Sequence, residues 1–418
     1  MIFKEFDVKK TGNYIFNFAK WIVLSALTGL IGGLIGSAFH SAIEYVTEIR
    51  AEHPWILYFL PVAGVVIAAL YKICKMEKIG STDYIISAIR ENKKVPFILA
   101  PLIFAGTVLT HLFGGSAGRE GAALQLGGSI GSFVGRGARL NEKDMHLIIM
   151  CGMSGVFSAL FGTPLTAAVF SMEVISVGII YYAGFVPSLT SALVAYYVSS
   201  LFKIEPVRFT IKEIPALSFI SGGKVVLLAA LCGLLSIVFC IVIHQSHRLS
   251  EKFIKNSFLR ALISGLIIVI LTLLVGNYDY NGAGMHIVEK AISGNAVPYA
   301  FILKMMFTAI TLSGGFRGGE IVPTFFIGAT FGCVVGPVLG LPASFAAAIG
   351  LISLFCSVVN CPLASVILSI ELFGSGSIIL FAVACAVSYV LSGYFSIYGT
   401  QKIIYSKVKA EFININAW

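Results

Sequence analysis

Charged residues are scarce in this chain: only 12% of its 418 residues are Asp, Glu, Lys or Arg, about half the share usual in soluble globular proteins. This scarcity excludes a soluble enzyme, a nucleic-acid-binding domain and a disordered protein. Apolar residues make up 57% of the sequence instead, and the mean hydropathy is +0.93. Uncharged apolar runs long enough to cross a bilayer recur along the whole chain. The composition therefore predicts an all-α polytopic membrane protein.

Clustered metal ligands and catalytic groups are also missing from the sequence. The eight cysteines form no Cys-x-x-Cys pair, and the seven histidines do not lie near enough to them to complete a metal site. No Ser/His/Asp, Cys/His or phosphate-loop arrangement lies outside the apolar runs. We therefore expect no enzymatic activity, no cofactor and no bound metal ion.

The net positive charge, +9 at pH 7, gathers at the chain ends and in short loops. Lysines lie at positions 4, 9, 10 and 20, and again at positions 402, 407 and 409. Basic flanks mark the cytoplasmic segments of membrane proteins. The pattern predicts a multi-pass protein of the cell (inner) membrane with both termini in the cytoplasm. Because the charge excess then reports topology, we expect no nucleic acid partner.

Two stretches half a chain apart resemble each other. Segments 164–173 and 362–371 both begin with Pro-Leu, end in Glu and carry a Ser two residues before that Glu. A glycine-rich segment that contains an acid precedes each copy, around Glu120 and around Glu320. Matching broken helices in two halves indicate a transporter whose site lies where the halves meet. We predict a single transmembrane domain over 1–418, with repeats at about 15–203 and 220–400 and no C-terminal regulatory domain.

The first glycine-rich segment, Gly118-Arg119-Glu120-Gly121, leads into a helical run from Ala122. A helix that begins here directs free N–H groups and a positive dipole end at its surroundings, which suits an anion. The carboxylate of Glu120 can occupy the anion position itself and leave when protonated, so that it would act as gate and proton carrier. Alternatively, Glu120 caps the helix and pairs with Arg119.

Three further segments carry candidate groups. Gly318-Gly319-Glu320-Ile321-Val322-Pro323 is a second candidate anion-facing helix start, where we expect Arg317 to neutralise Glu320 away from the pore. Ser81, in Gly80-Ser81-Thr82, is able to donate to an anion or to cap the next helix, and the two roles are compatible. Tyr398 ends the last apolar run, where a tyrosine is usually an interfacial anchor.

Together these segments resemble those of the CLC family of chloride channels and anion/proton antiporters. The resemblance implies a homodimer with one pore per subunit, a fold of two inverted-topology repeats with broken and tilted helices, and Glu120 as the gating and proton-carrying glutamate. It also implies a fluoride or chloride anion, protons and the lipid bilayer as partners. The anion-binding residues carried over from the family motifs are Ser81, Gly118, Arg119, Gly121, Ile321, Val322 and Tyr398.

The chain departs from the family pattern in ways that bear on the transported ion. The Phe of the second helix start is Ile321, and Glu320 is inserted before it. The position of the inner proton-accepting glutamate is Val174, whereas Glu173 matches an adjacent structural glutamate. These changes resemble the fluoride-exporting branch of the family, although the retained Ser81 favours chloride.

We therefore expect a proton-coupled halide antiporter, with fluoride favoured over chloride. The alternative is a passive voltage- or pH-gated anion channel without proton coupling, which the missing inner glutamate favours. A cation conductor that uses Glu120, Glu173, Glu320 and Glu371 as ligands is a third class. The neighbouring arginines and the glycine-opened helix starts argue against that third class.

Overall fold

The computed structural model describes residues 8–77, 81–91 and 93–418, and side chains from residue 12 onward. Gly80 and Lys4 therefore lie outside the described residues, as do the side chains of Lys9 and Lys10. In the described residues the chain forms sixteen α-helices and three short strands. The helices are α1 Val8–Glu52, α2 Leu60–Ile73, α3 Thr82–Glu91, α4 Leu99–Leu112, α5 Glu120–Gly137, α6 Glu142–Phe161, α7 Pro164–Glu173, α8 Phe185–Leu201, α9 Phe219–Phe253, α10 Ser257–Val275, α11 Met285–Ile292, α12 Ala300–Ser313, α13 Ile321–Val338, α14 Ala343–Val359, α15 Pro362–Phe373 and α16 Ile378–Leu391. The strands are β1 Ser176–Val177, β2 Lys402–Tyr405 and β3 Phe412–Asn416.

Seven helical segments of the described chain are long and apolar enough to cross a membrane. Several other apolar helices, among them α4, α12, α14 and α15, have only 10–17 residues. A helix of that length falls short of the roughly 20 residues that a straight crossing needs. The prediction of an all-α membrane protein with broken helices is confirmed.

Two glycine-lined helix pairs form the centre of the molecule. A Cβ built on Gly127 of α5 would lie 2.2 Å from the carbonyl oxygen of Gly152 in α6. In the second half, a Cβ on Gly328 of α13 would lie 2.4 Å from the carbonyl oxygen of Gly350 in α14. Small residues let helix backbones approach closely where the apolar solvent supplies no driving force for association. The same close contact between glycines occurs at matching places in both halves of the chain.

Helices α7 and α15 cap each other across the two halves. The carboxylate of Glu173, at the end of α7, accepts hydrogen bonds from the backbone N–H groups of Leu363 (3.1 Å) and Ala364 (2.9 Å) at the start of α15. The carboxylate of Glu371 accepts in turn from the N–H groups of Leu165 (3.0 Å) and Thr166 (2.9 Å) at the start of α7. Each acid thus satisfies orphan N–H groups of the other helix.

The apolar residues from 164 to 185 do not form one continuous helix. Helix α7 ends at Glu173, and the following residues form β1, which pairs in parallel with β2. Strand β3 pairs antiparallel with β2, which completes a small sheet. This sheet ties the end of α7 to the chain that follows α16. No periodicity in these short segments predicted it.

Candidate functional site

The starts of α5 and α13 cross at the centre of the molecule. The backbone N–H of Gly118 donates to the carbonyl of Gly319, and the N–H of Gly319 donates back to Gly118, both at 2.7 Å. A Cβ on Gly319 would lie only 2.3 Å from the nitrogen of Gly121, so the crossing requires glycine there. The fold therefore brings together the two glycine-rich segments that the sequence predicts as anion-facing. Their helix starts, including Gly121, Ile321 and Val322, present N–H groups without a helical acceptor.

Glu120 lies buried at this crossing and is folded back onto its own helix start. Its Oε2 accepts a hydrogen bond from the backbone N–H of Arg119 at 3.0 Å. Its Oε1 lies 3.6 Å from Nε of Arg119 and has no hydrogen-bond partner. Both sequence interpretations thus have a counterpart in the geometry: the acid contacts Arg119, and one of its oxygens stays unsatisfied where an anion would be favoured.

A cavity of about 360 Å³, named the outer cavity after the predicted membrane orientation, reaches Glu120. Residues from several elements line it, including Glu44, Glu48, Arg50, His111, Arg119, Asn281 and His286. The loop 276–284 forms part of its wall and is held to the segment before Glu120, because Asn281 donates to the carbonyl of Gly114 at 2.8 Å. Lys304, which is fully buried, donates to the carbonyl of Gly282 in the same loop at 2.7 Å.

A second cavity, of about 350 Å³, reaches the crossing from the opposite side and is named the inner cavity after the same predicted orientation. Its lining includes Glu77, Ser81, Thr82, Asp83, Gln125, His244, His247, Glu251, Arg260 and Glu320. The Oε2 of Glu320 is buried without a hydrogen-bond partner. It faces Gly121, since a Cβ there would lie 3.1 Å from that oxygen. An acid with one buried, unpaired carboxyl oxygen therefore lies at each end of the crossing.

The expectation that Arg317 neutralises Glu320 is wrong. The guanidinium of Arg317 lies over the ring of Tyr71, 3.7 Å from the ring centroid. None of the ion pairs within residues 81–91 and 93–418 joins Arg317 to Glu320. A stacked guanidinium retains its charge but directs its plane at the aromatic face. Glu320 therefore keeps an unpaired carboxyl oxygen beside the helix starts.

Thr82, which the sequence interpretation did not select, contacts the crossing more closely than Ser81. The Thr82 hydroxyl donates to the carbonyl of Gly121 at 3.2 Å and accepts from the side chain of Gln125 at 3.3 Å. Ser81 is exposed at the inner cavity, and its Oγ accepts from the N–H of Tyr84 at 3.3 Å. The predicted capping role of Ser81 is confirmed. The only signal for Thr82 in the sequence is a hydroxyl next to Ser81.

Tyr398 is buried, and its hydroxyl has no hydrogen-bond partner. It is close enough to Glu320 and Glu120 for electrostatic interaction with both. This burial contradicts an interfacial anchor, the ordinary role of a tyrosine at the end of an apolar run. The hydroxyl instead remains available as a donor near the two acids.

Side chains from two helices hold the short loop that carries Tyr398. His244 of α9 donates through Nε2 to the carbonyl of Ser396 at 2.7 Å. Asp83 of α3 accepts from the N–H of Thr400 at 3.0 Å, and Arg90 donates to the carbonyl of Thr400 at 2.6 Å. The ring of Tyr398 is thus fixed from both ends of its loop, although only Tyr398 itself stands out in the sequence.

Position 174, where the family has its inner proton-accepting glutamate, carries an apolar side chain. Val174 is fully buried, and its carbonyl accepts a hydrogen bond from the side chain of Gln401 at 2.9 Å. The neighbouring Glu173 is engaged at the start of α15. Over the part of the chain that the structure describes, no group of three or more His, Cys, Asp or Glu residues is placed to hold a metal ion.

Two cavities reach a crossing of helix starts from opposite sides, inside a bundle of broken apolar helices. This architecture is that of a multi-pass membrane transporter of anions. The sequence profile of the family "Voltage gated chloride channel" matches residues 62–393. The chain belongs to this family, the CLC chloride channels and transporters.

Relatives and solved structures agree with this membership. A chloride/fluoride channel protein of Pseudomonas syringae pv. tomato is 34% identical over 93% of this chain and 88% of its own length. The H(+)/Cl(-) exchange transporter ClcA of Vibrio cholerae is 25% identical over 86% of this chain and 83% of its own length. The crystal structure of a CLC-type fluoride/proton antiporter superposes with a TM-score of 0.89 at 30% identity, and the match covers 92% of this chain and 98% of that one.

Proposed function

We propose that this protein is a proton-coupled halide antiporter that prefers fluoride and exports it across the cell (inner) membrane. The observation that carries the proposal is a pair of acids, Glu120 and Glu320, each with a buried unpaired carboxyl oxygen, at opposite ends of one crossing of helix starts. An ionisable group at membrane depth is expensive and is functional by default. Two such groups, one open to each cavity, provide a proton station on each side of the anion path.

Glu120 is the gate and outer proton carrier in this proposal. As a carboxylate it competes with the anion for the positive helix starts at Gly118, Arg119 and Gly121. After it takes up a proton from the outer cavity, it loses that attraction, and an anion takes its place. Because the Glu120 carboxylate and the anion exclude each other at one position, the anion enters only when Glu120 is protonated, and this requirement couples anion movement to proton movement.

Glu320 replaces the inner proton station that is missing at Val174. Its unpaired oxygen faces Gly121 from the inner cavity, so a proton from that side reaches the crossing without Glu173. A charged Glu320 repels an anion beside Ile321 and Val322, whereas a protonated one does not. Occupation of the anion site therefore favours proton uptake by Glu320.

Fluoride is favoured because the crossing offers hydroxyl and N–H donors instead of a fixed cation. Fluoride is small and strongly hydrated, so it requires strong donors in place of water. The unpaired hydroxyl of Tyr398 and the helix-start N–H groups supply them. A relative named as a chloride/fluoride channel protein and a similar fluoride/proton antiporter structure support this ion.

The deciding experiment is paired flux from proteoliposomes. Outward gradients of fluoride, and separately of chloride, are imposed with the potential clamped by valinomycin and potassium, and ion and pH electrodes record both fluxes. We expect fluoride efflux with stoichiometric proton uptake that persists against a proton gradient. Anion efflux without coupled protons would establish the second candidate, a passive channel, which the apolar residue at position 174 and the channel name of the Pseudomonas relative favour.

In the same assay, Glu120→Gln should abolish proton movement, because an amide takes up no proton and cannot alternate with the anion. The control is Glu48→Gln, which removes an exposed acid from the same outer cavity and should leave the coupling ratio unchanged. Unchanged proton flux in Glu120→Gln would contradict the role of Glu120.

We further propose that the protein is a homodimer in which each subunit has its own anion path, as the family resemblance implies. Light scattering in detergent should then give a protein mass of twice 44.7 kDa. A mass of one chain, under conditions in which flux is retained after reconstitution, would contradict the dimer.

A further inference from the structure

A cavity of about 390 Å³ lies away from the anion path, between α3, the start of α6 and the loop that leads into α8. Its floor is apolar and consists of Leu147, Met150 and Ile175. At its mouth lies Tyr181, which is 52% exposed. Cavities of this size and lining are typical of small-molecule sites, which lie in the range of about 300–1,000 Å³. Neither the anion path nor the proton stations use it.

The rim of this cavity is cationic. Arg90 and Lys143 lie on it, and Arg90 is paired with Glu91 at 2.7 Å. The acid on the rim, Asp144, is already paired with Lys20 at 2.7 Å. Lys143 itself is exposed. The cavity therefore combines an apolar floor with positive charge at the mouth, which matches a molecule with an anionic head and a hydrocarbon tail.

We propose that this cavity binds one anionic phospholipid from the membrane leaflet on its side. The phosphate lies against Arg90 and Lys143, and the first carbons of an acyl chain cover Leu147, Met150 and Ile175. Basic pockets between transmembrane helices recognise anionic headgroups in this way. Tyr181 at the mouth suits the headgroup level, where tyrosine is enriched. A free phosphate ion would leave the apolar floor uncovered.

The site is connected to the anion path through Arg90. One arm of its guanidinium donates to the carbonyl of Thr400 at 2.6 Å, two residues after Tyr398. A headgroup phosphate that competes with Glu91 for Arg90 changes the electrostatic support of this loop. Transport should therefore depend on the anionic lipid content of the membrane. This dependence rests on the proposed function, whereas binding of the lipid does not.

The test is the thermal unfolding of purified protein in detergent with equal amounts of phosphatidylglycerol or phosphatidylcholine, which share acyl chains. We expect phosphatidylglycerol to raise Tm by roughly 2–4 °C more than phosphatidylcholine does. Lys143→Glu should remove this difference, and the milder Lys143→Gln should reduce it. The matched control, Lys252→Glu, reverses an exposed charge at the end of α9 outside the cavity and should retain the difference.

Equal shifts with the two lipids would overturn the proposal, and so would a full phosphatidylglycerol effect in both Lys143 variants. Inorganic phosphate is the third arm. A rise with phosphate equal to that with phosphatidylglycerol would assign the site to a simple anion and contradict the lipid. Because none of these measurements involves transport, they stand or fall independently of the antiport proposal.

Discussion

The surroundings of Glu320 differ from those that its neighbours in the sequence predict. Its neighbour Arg317 carries a full charge, yet that charge is stacked on Tyr71 instead of being paired with the acid. The carboxyl of Glu320 therefore faces the inner cavity and the backbone around Gly121, with Tyr398 nearby. An acid with a buried unpaired oxygen in this position must lose its charge or repel an anion, and either outcome links its proton to the transported ion.

We predict that Glu320→Gln reduces proton flux by roughly 10²-fold while anion flux continues, because the amide keeps the shape of the side chain but accepts no proton. The measurement is the proton-to-fluoride ratio in the paired-flux assay. Glu251→Gln is the control, since Glu251 is an exposed acid on the same inner cavity and should leave the ratio unaltered. A wild-type ratio in Glu320→Gln would mean that protons enter by another route.

At the scale of single residues, the sequence predicts the groups that belong to a local motif and misses those that depend on distant partners. Gly118 and Glu120 stand out because glycine and an acid precede a helix. The bonds between Gly118 and Gly319 join opposite halves of the chain, and Thr82 contacts Gly121 from a helix 39 residues away. Local sequence carries no record of such pairings, so Thr82 was missed and Arg317 was assigned the wrong partner.

Among the helices, the reciprocal capping of α7 and α15 links the two halves through hydrogen bonds, in addition to the packing of the helices. Each cap consists of a carboxylate that accepts two N–H groups at a helix start, a charge-assisted arrangement that the helix dipole strengthens. Glu173 reaches its partners across 190 residues and Glu371 across 206. Because both acids serve as caps, neither is free to carry protons between the cavities.

We predict that Glu371→Gln destabilises the folded protein by about 1.5–3 kcal/mol, since the amide nitrogen turns a donor toward N–H groups that need an acceptor. Glu173→Gln should cost at least as much, because Glu173 is more deeply buried. Denaturant unfolding in detergent measures both. Glu213→Gln, at an exposed acid in the loop before α9, is the control. Midpoints equal to wild type in both cap variants would show that the caps contribute nothing to stability.

The long apolar helices are predictable from composition because each must satisfy its backbone internally inside a bilayer. Helix α3 and the small sheet are different. Helix α3 is short and carries Asp83 and Arg90, whose partners lie on the loop around Thr400. Strand β1 has only two residues and owes its conformation to β2, far along the chain. Elements that exist through tertiary pairing leave little signal in the local sequence.

In the molecule as a whole, two separate cavities lead to the anion position, one from each side of the crossing. The outer cavity ends at Glu120 and the inner one at Glu320, and the crossing of α5 and α13 separates them. Because both helix starts belong to corresponding places in the two halves, one anion position is approached symmetrically from either side. The repeat bounds of about 15–203 and 220–400 stay a prediction, as does the orientation in the membrane.

The orientation is testable with single cysteines. Seven of the eight native cysteines are buried, so Cys74→Ser gives a background with little labelling. Val408, after β2, and Val297, before α12, are both exposed, at 68% and 43%. With cytoplasmic termini, as the lysines near both ends predict, an impermeant maleimide should label Val297→Cys in intact cells. It should label Val408→Cys only after lysis, because β2 lies on the side of the inner cavity and α12 begins on the other. The reverse pattern would place the termini outside and would require fluoride export to run from the cavity that contains Glu120.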